Sequence, residues 1–163
     1  MQEVSVIIPN FNGMAYLDGV LAGLECQSVN NFEVILVDNG SSDGSCAFVA
    51  ARYPWVHLIE LPENFGFCKA VNEGIKASRA PYVLLLNNDI EVTENFIEEM
   101  IFAIKRHPKA FSCAARMIQF HDRDKLDDAG NYYCALGWAY ARGKGKDIHT
   151  YEKEEKIFAS CAG

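Results

Sequence analysis

Four short apolar runs alternate with four stretches of helical periodicity along the first two thirds of the chain. The runs are residues 4–9 (VSVIIP), 32–37 (FEVILV), 55–61 (WVHLIEL) and 82–86 (YVLLL). Their β-branched and aliphatic content predicts strands. Between and after them, Leu17, Val20, Leu21 and Leu24, then residues 46–53, then Phe67, Ala70, Val71 and Ile75, then Ile97, Met100, Ile101 and Ile104 predict four helices with one apolar face each. Thr93 is placed to cap the last of them. The β-α-β-α-β-α-β-α alternation predicts an α/β domain: a mostly parallel sheet, right-handed crossovers and helices on both faces. With strand order 3-2-1-4, the order reverses between the first and fourth strands. Run 55–61 alternates as an edge strand does. Run 82–86, opened by Pro81 and unbroken, suits a central strand covered on both faces.

Three of the predicted strands stop at short polar residues. Asn10 and Asn12 follow the first, Asp38 the second, and Asn87-Asn88-Asp89 the fourth. Open α/β sheets bind ligands at the carboxyl ends of their strands, beside the point where strand order reverses. A carboxylate there, such as Asp89, can hold a divalent cation, and the cation can hold a diphosphate.

Beyond residue 108 the alternation breaks down. Residues 110–120 predict a strand of mixed character, and residues 121–131 and 142–147 (RGKGKD) predict loops. Residues 132–140 are aromatic and small, 152–156 form a charge run expected to be a solvated face, and 157–163 predict the start of another strand.

Composition and the motifs that are absent narrow this picture. At 163 residues, one domain is expected. No apolar stretch approaches the ~20 residues that span a membrane, and no basic-then-apolar leader is visible. The six cysteines form no C-x-x-C pair and the four histidines are scattered, so reduced thiols, many of them buried, are expected instead of a zinc site or disulfide framework. Net charge is −7, and only Arg52, Lys69, Lys76 and Arg79 are basic before residue 94. That excludes a nucleic-acid stripe and leaves a diphosphate in need of another positive charge, which a carboxylate-bound metal supplies. No G-x-G-x-x-G, G-x-x-x-x-G-K-[ST] or G-x-S-x-G occurs, which disfavours nicotinamide, P-loop and serine-hydrolase chemistry.

VSVIIPNFNG, FEVILVDNGSSDGS, ENFGFCKAVNEGI and YVLLLNNDIEV, in that order, resemble the nucleotide-sugar-binding half of glycosyltransferase family 2, of GT-A fold. The similarity runs from Val4 to Phe111. A weaker one, through LDDAG and residues 137–145, is to the rhamnosyltransferase-like branch. The resemblance implies one GT-A domain over residues 1–163, with residues 1–108 as nucleotide-binding half, 109–163 as the start of the acceptor side, and a C-terminus short of the family's full length.

The resemblance also implies roles. Pro9, Asn10 and Asn12 would line the nucleotide pocket. Asp38 would accept a hydrogen bond from the base, such as a pyrimidine N3–H. Gly66 would allow close backbone approach, Asn72 would contact the nucleoside, and Lys69 would face the diphosphate. Asn88 and Asp89 stand where the family carries D-x-D, here with one carboxylate. Asp89 would be the ligand of Mg²⁺ or Mn²⁺, and Asn88 would bond the ribose or a metal-bound water.

The implied activity is inverting transfer of a sugar from a UDP- or dTDP-linked donor to a saccharide or lipid-linked acceptor in cell-surface polysaccharide synthesis. The expected location is the cytoplasm or the inner face of the membrane, with peripheral membrane association and a homodimer both open. The family's general base is expected beyond Gly163. Asp127, Asp128 and Asp147 are available carboxylates, but none matches its motif. The alternatives are a donor-binding domain without turnover and, more distantly, a nucleotidyltransferase. The latter would want a basic, glycine-rich loop where this chain has PNFNG.

Overall fold

The structure is a computed structural model and describes residues 2–157. The chain divides into two units, Met1–Glu99 and Met100–Gly163. In the first, β1 (Val4–Asn10), α1 (Met14–Glu25), β2 (Phe32–Asp38), α2 (Ser45–Arg52), β3 (His57–Glu60), α3 (Phe67–Ala77) and β4 (Tyr82–Leu85) follow one another. The strands form one parallel sheet in the order β3-β2-β1-β4, as the alternation of elements predicts.

The centre of the sheet is buried from both sides because β1 carries aliphatic residues at 6–8 and β2 at 34–37, on both faces of each strand. Ile7, Ile35 and Val37 point to one face and pack with Ala70 of α3. Val6, Ile8, Val34 and Leu36 alternate to the other face and are equally buried, as is the α1 stripe Leu17, Val20, Leu21 and Leu24. Each such side chain contributes about 1.5–3 kcal/mol by leaving water. Gly74 lets α3 lie close to the sheet, since a Cβ there would overlap Ile7 Cγ2 and sit 3.2 Å from Val37 Cγ2.

Four expectations are corrected here. Among the described residues β4 is an edge of the sheet, paired with β1 alone, and Val83 and Leu85 are 41% and 48% exposed. An apolar run reports the hydrophobicity of a strand, not whether a second neighbour stands beside it. The buried face of α3 is Ala70, Val71 and Gly74, while Phe67 and Ile75 are exposed. The close approach at Gly74 selects the small residues. α4 (Phe96–Arg106) starts past Thr93, whose hydroxyl bonds Asn95 Oδ1. Of its expected buried face, Ile97 and Ile101 are buried. Finally, none of the five described cysteines is buried: Cys26 and Cys68 are exposed, and Cys46, Cys113 and Cys134 are intermediate.

The second unit holds two short antiparallel pairs, β5 (Met117–Ile118) with β6 (Leu126–Asp128), and β7 (Asn131–Tyr133) with β8 (Ala139–Ala141). Only Met117–Ile118 of the strand expected at 110–120 forms, and the polar loop expected at 121–131 contains β6. Arg142 organises this unit. Its buried guanidinium donates to Ala129 O at 3.2 Å, pairs with Glu155 at 2.7 Å and lies 4.6 Å from the Tyr151 ring centre. The charge run at 152–156 is therefore not a merely solvated face: Glu154 pairs with Arg106 and His107, and Glu155 with Arg142. The strand expected at 157–163 lies outside the described residues, apart from Ile157, which is in no strand.

Candidate functional site

Parallel register brings the three polar strand ends together. β1 and β2 pair through to Asn10 opposite Asp38. β1 and β4 pair through Ile7 opposite Leu85, and continuing that register by three residues brings Asn88 beside Asn10. The side chains then bond along the sheet edge. Asn88 Nδ2 donates to Asn10 Oδ1 at 2.7 Å, and Asn10 Nδ2 donates to Asp38 Oδ1 at 2.7 Å. Asp38 Oδ2 accepts from the Ser41 N–H at 2.8 Å. Asn10 and Asp38 are both about 1% exposed, so these bonds form where water cannot substitute for them. Gly13 makes the contact possible, because a Cβ there would overlap Asn88 Nδ2 and Asn10 Oδ1.

The loop after β2 is tied to the loop after β1. Asn12, at φ 49°, occupies the left-handed region that asparagine tolerates. Its N–H donates to Ser41 Oγ at 2.8 Å, and its Oδ1 accepts from the Ser42 N–H at 2.9 Å. Asp43 bridges two helix starts, accepting from the Met14 N–H of α1 at 2.9 Å and the Ser45 N–H of α2 at 3.0 Å. The Ser45 hydroxyl, then the Met14 amide, hold its carboxyl below the usual range. Behind Asp38, burial first, and then the Asp38 and Glu60 carboxylates, push the Cys46 thiol up to about 12.

Beside this edge opens a cavity of about 230 Å³ lined by Pro9, Asn10, Phe11, Asn39, Asn64, Gly66, Phe67 and Ala70. One wall is the segment between β3 and α3, and Asn39 holds it. Asn39 Nδ2 donates to Asn64 Oδ1 at 2.8 Å, Asn39 Oδ1 accepts from the Phe65 N–H at 3.0 Å, and the Gly66 N–H donates to Asn64 Oδ1 at 2.8 Å. Gly40, at φ 78°, brings the two loops close enough that a Cβ would sit 2.6 Å from Glu63 Cα. Gly66, at φ 86° and ψ 162°, turns the chain into α3 in a conformation open essentially to glycine alone. Phe11, Phe65 and Phe67 are 48%, 47% and 57% exposed. Exposed aromatics beside a cavity are suited to stacking on a planar group.

The residues singled out from the sequence thus divide. Pro9, Asn10 and Gly66 line the cavity, Asp38 stands behind it, and Asn12 and Asn88 frame it through their bonds. Asn72 and Lys69 lie on α3 outside the lining. Lys69 Nζ is 2.7 Å from Glu73 Oε1, and Lys69 with Lys76 holds the Glu73 carboxyl down to about 2. Phe11, Asn39, Asn64 and Phe67 were not singled out. The signal for them was an aromatic beside each polar strand-end motif, in PNFNG and ENFGF.

Asp89 is exposed in the turn after β4. Among the described residues its carboxylate accepts no hydrogen bond and forms no ion pair. No group of three or more His, Cys, Asp and Glu side chains able to hold an ion occurs among the described residues. A free carboxylate fits a hard divalent cation that takes its other ligands from phosphate oxygens and water. No helix among the described residues is long and apolar enough to cross a membrane.

Residues 5–162 match the family described as glycosyl transferase family 2. Glycosyltransferase GlyG of Streptococcus pneumoniae serotype 4 is 29% identical over 80% of this chain and 39% of its own length. TuaG of Bacillus subtilis strain 168, a glycosyltransferase named for teichuronic acid biosynthesis, is 27% identical over 76% of this chain and half of its own. The chain therefore spans half or less of these relatives. Among solved structures, S. aureus TarS 1-349 in complex with UDP-GlcNAc is 26% identical at TM-score 0.60, covering 66% of this chain and 32% of that one. The mannosyltransferase PcManGT of Pyrobaculum calidifontis, in complex with GDP-Man and Mn²⁺, is 23% identical at TM-score 0.59, covering 63% and 32%. With the strand order 3-2-1-4, these neighbours identify the fold as GT-A.

Proposed function

The chain belongs to glycosyl transferase family 2, and from that premise we propose that its first unit binds a UDP- or dTDP-linked sugar for inverting transfer to a saccharide or lipid-linked acceptor in cell-surface polysaccharide synthesis. One observation carries this reading: three polar strand ends bond to one another beside a cavity rimmed by exposed phenylalanines, next to an unpartnered carboxylate. TarS, seen with UDP and with UDP-GlcNAc, supports the uridine side of the donor range. The LDDAG segment supports the rhamnosyltransferase-like branch and hence the dTDP side.

In this proposal residues 1–108 hold the donor. The base enters the cavity against Phe11, Phe67 and the Asn39–Asn64 wall, with Pro9 and Gly66 admitting it close to the backbone. Asp38 accepts from Asn10 and Ser41, and a carboxylate has about four acceptor positions. Asp38 is about 1% exposed and outside the lining, so the base N–H reaches a remaining position as the loop after β2 gives way. Asn12 secures the loop above, and Asn72 reaches the nucleoside from α3. Lys69 approaches the diphosphate only by leaving Glu73.

Asp89 would hold Mg²⁺ or Mn²⁺, and the cation would supply positive charge to the nucleoside diphosphate oxygens. The acceptor hydroxyl oxygen forms its bond to the anomeric carbon as the bond to the diphosphate oxygen breaks. A general base takes the hydroxyl proton.

A second reading, donor binding without transfer by residues 1–163, is favoured by the described carboxylates of the second unit. Asp127 faces Lys144 at 3.4 Å, Asp128 accepts from Gly130 and Asn131, and Asp147 accepts from His149. All three serve local structure.

The test is transfer of labelled sugar from UDP and dTDP donors to saccharide and lipid-linked acceptors, with the product anomer read by NMR. Inverted product is expected. Retained configuration, or transfer of the nucleotidyl group, would overturn the proposal. Donor binding without product would select the second reading.

A further inference from the structure

The sheet-edge hydrogen bonds have a polarity that one residue dictates. An ionised carboxylate only accepts, whereas an asparagine amide donates from one end and accepts at the other. Asp38 therefore obliges Asn10 to present Nδ2, as it does at 2.7 Å. Ser41 Oγ, 3.3 Å from the same Nδ2, is compatible with that orientation. Asn10 Oδ1 is then the end left for β4, and it can only accept. Asn88 must answer with Nδ2, as it does at 2.7 Å. What remains of Asn88 is its carbonyl oxygen, which accepts no hydrogen bond among the described residues. That oxygen is one residue from the Asp89 carboxylate, in the same turn. Asn10 is buried and Gly13 has no Cβ to intrude, so the Asn10 amide is held by Asp38, Ser41 and Asn88 alone among the described residues, while Asn88 is half-buried.

We propose that Asp38 sets, through the Asn10 amide, which end of the Asn88 side chain is free at the Asp89 turn, making Asn10 a positioning residue for the cation site. The relay spans β2, β1 and β4. It leaves an oxygen, not an NH₂ group, as the free end of Asn88, one residue before the lone carboxylate in the same turn, and an NH₂ there would repel a cation. It also couples the base side of the crevice to the diphosphate side, since a ligand that bonds Asp38 acts on the group that orients Asn88. The cation part rests on the reading of Asp89 given above.

The experiment uses ¹⁵N-labelled protein and Mn²⁺ alone as probe. The Asn88 side-chain NH₂ signal is assigned by its loss in Asn88→Asp. Asp38→Asn is isosteric but can donate as well as accept, so it removes the polarity constraint. Asn10→Leu keeps the bulk and removes the relay. Both are expected to shift the Asn88 NH₂ signal and to raise the Mn²⁺ concentration that half-broadens the residue 89 amide by about fivefold or more, the lower end of typical coupling between sites. Gly74→Ala, a packing change outside the relay, leaves the Asn88 signal in place and so separates the relay from general loosening of the fold. If Asn10→Leu does not fold, Asp38→Asn decides alone. An Asn88 signal unmoved by Asp38→Asn overturns the relay. A moved signal with unchanged Mn²⁺ response overturns the positioning role while leaving Asp89 as ligand. No Mn²⁺ effect in the parent overturns Asp89 as ligand and the positioning role with it, and the Asn88 signal still decides the relay.

Discussion

Asn39→Ala tests how the cavity wall is built. The Asn39 side chain is buried and makes two bonds across the loops, one to Asn64 Oδ1 and one from the Phe65 N–H. A neutral hydrogen bond contributes about 0.5–1.5 kcal/mol net, so the pair contributes about 1–3. Two features pull the figure down. Phe65 is 47% exposed, so water can take over its N–H, and Asn64 Oδ1 keeps the Gly66 N–H. The expected loss is therefore about 1–2 kcal/mol, read as a lower urea midpoint at unchanged slope. The same loss appears in binding if the segment must be re-ordered around the nucleotide, and about 1.4 kcal/mol corresponds to a tenfold weaker UDP affinity. Asn39→Asp gives the complementary test. It keeps an acceptor for Phe65 but sets a carboxylate oxygen against Asn64 Oδ1, so it should be no more stable than the alanine variant. An unfolding free energy within ~0.5 kcal/mol of the parent for Asn39→Ala, the usual scatter for a neutral surface change, would refute the reasoning. The wall would then be held by the backbone approach at Gly40 alone.

Three further outcomes are expected. Gly74→Ala gains about 1 kcal/mol of helix propensity but overlaps Ile7 Cγ2, and overpacking of about 1–3 kcal/mol wins, so the urea midpoint should fall. Asp43→Ala should cost about 1 kcal/mol, typical of a helix cap. Because its folded-state pKa is lowered by Ser45 and Met14, the parent's advantage over this variant is present above the ordinary carboxylate value of 3.8 and is lost as pH falls through the lower folded-state value; a difference between the two that grows on acidification would contradict the cap. In thiol labelling at pH 8, Cys26 and Cys68 should react before Cys46, whose pKa of about 12 leaves almost no thiolate, as mass spectrometry of peptides would show.

The sheet was legible because residues 6–8 of β1 and 34–37 of β2 are unbroken aliphatic runs and each strand ends at a polar residue. Run 82–86 misled because burial of a strand depends on its neighbours as well as on itself, and among the described residues β4 has β1 alone. α3 misled for the opposite reason. Its largest apolar residues, Phe67 and Ile75, face out, and its packing surface is small enough to admit the sheet at Gly74. Within the site, the strand-end residues Asn10, Asp38 and Asn88 were legible from topology. Their mutual hydrogen bonds were not, because cross-strand contacts depend on register and not on spacing along the chain. Asn39 and Asn64 stayed hidden inside turn-like sequence for the same reason. In the second unit, Arg142 sits in a glycine-rich basic loop, and nothing local distinguishes a buried hub from a solvated charge.

The central claim, a donor site at the carboxyl edge with Asp89 as cation ligand, is tested most directly by calorimetry of UDP and dTDP binding with and without Mn²⁺, on the parent and on Asp89→Ala. The parent should bind at least one of the two nucleotides more tightly with the metal present. Asp89→Ala should lose that dependence while its urea midpoint stays put, since the side chain is exposed and forms no bond among the described residues. Binding of neither nucleotide by the parent, or metal dependence undiminished in Asp89→Ala, would contradict the account.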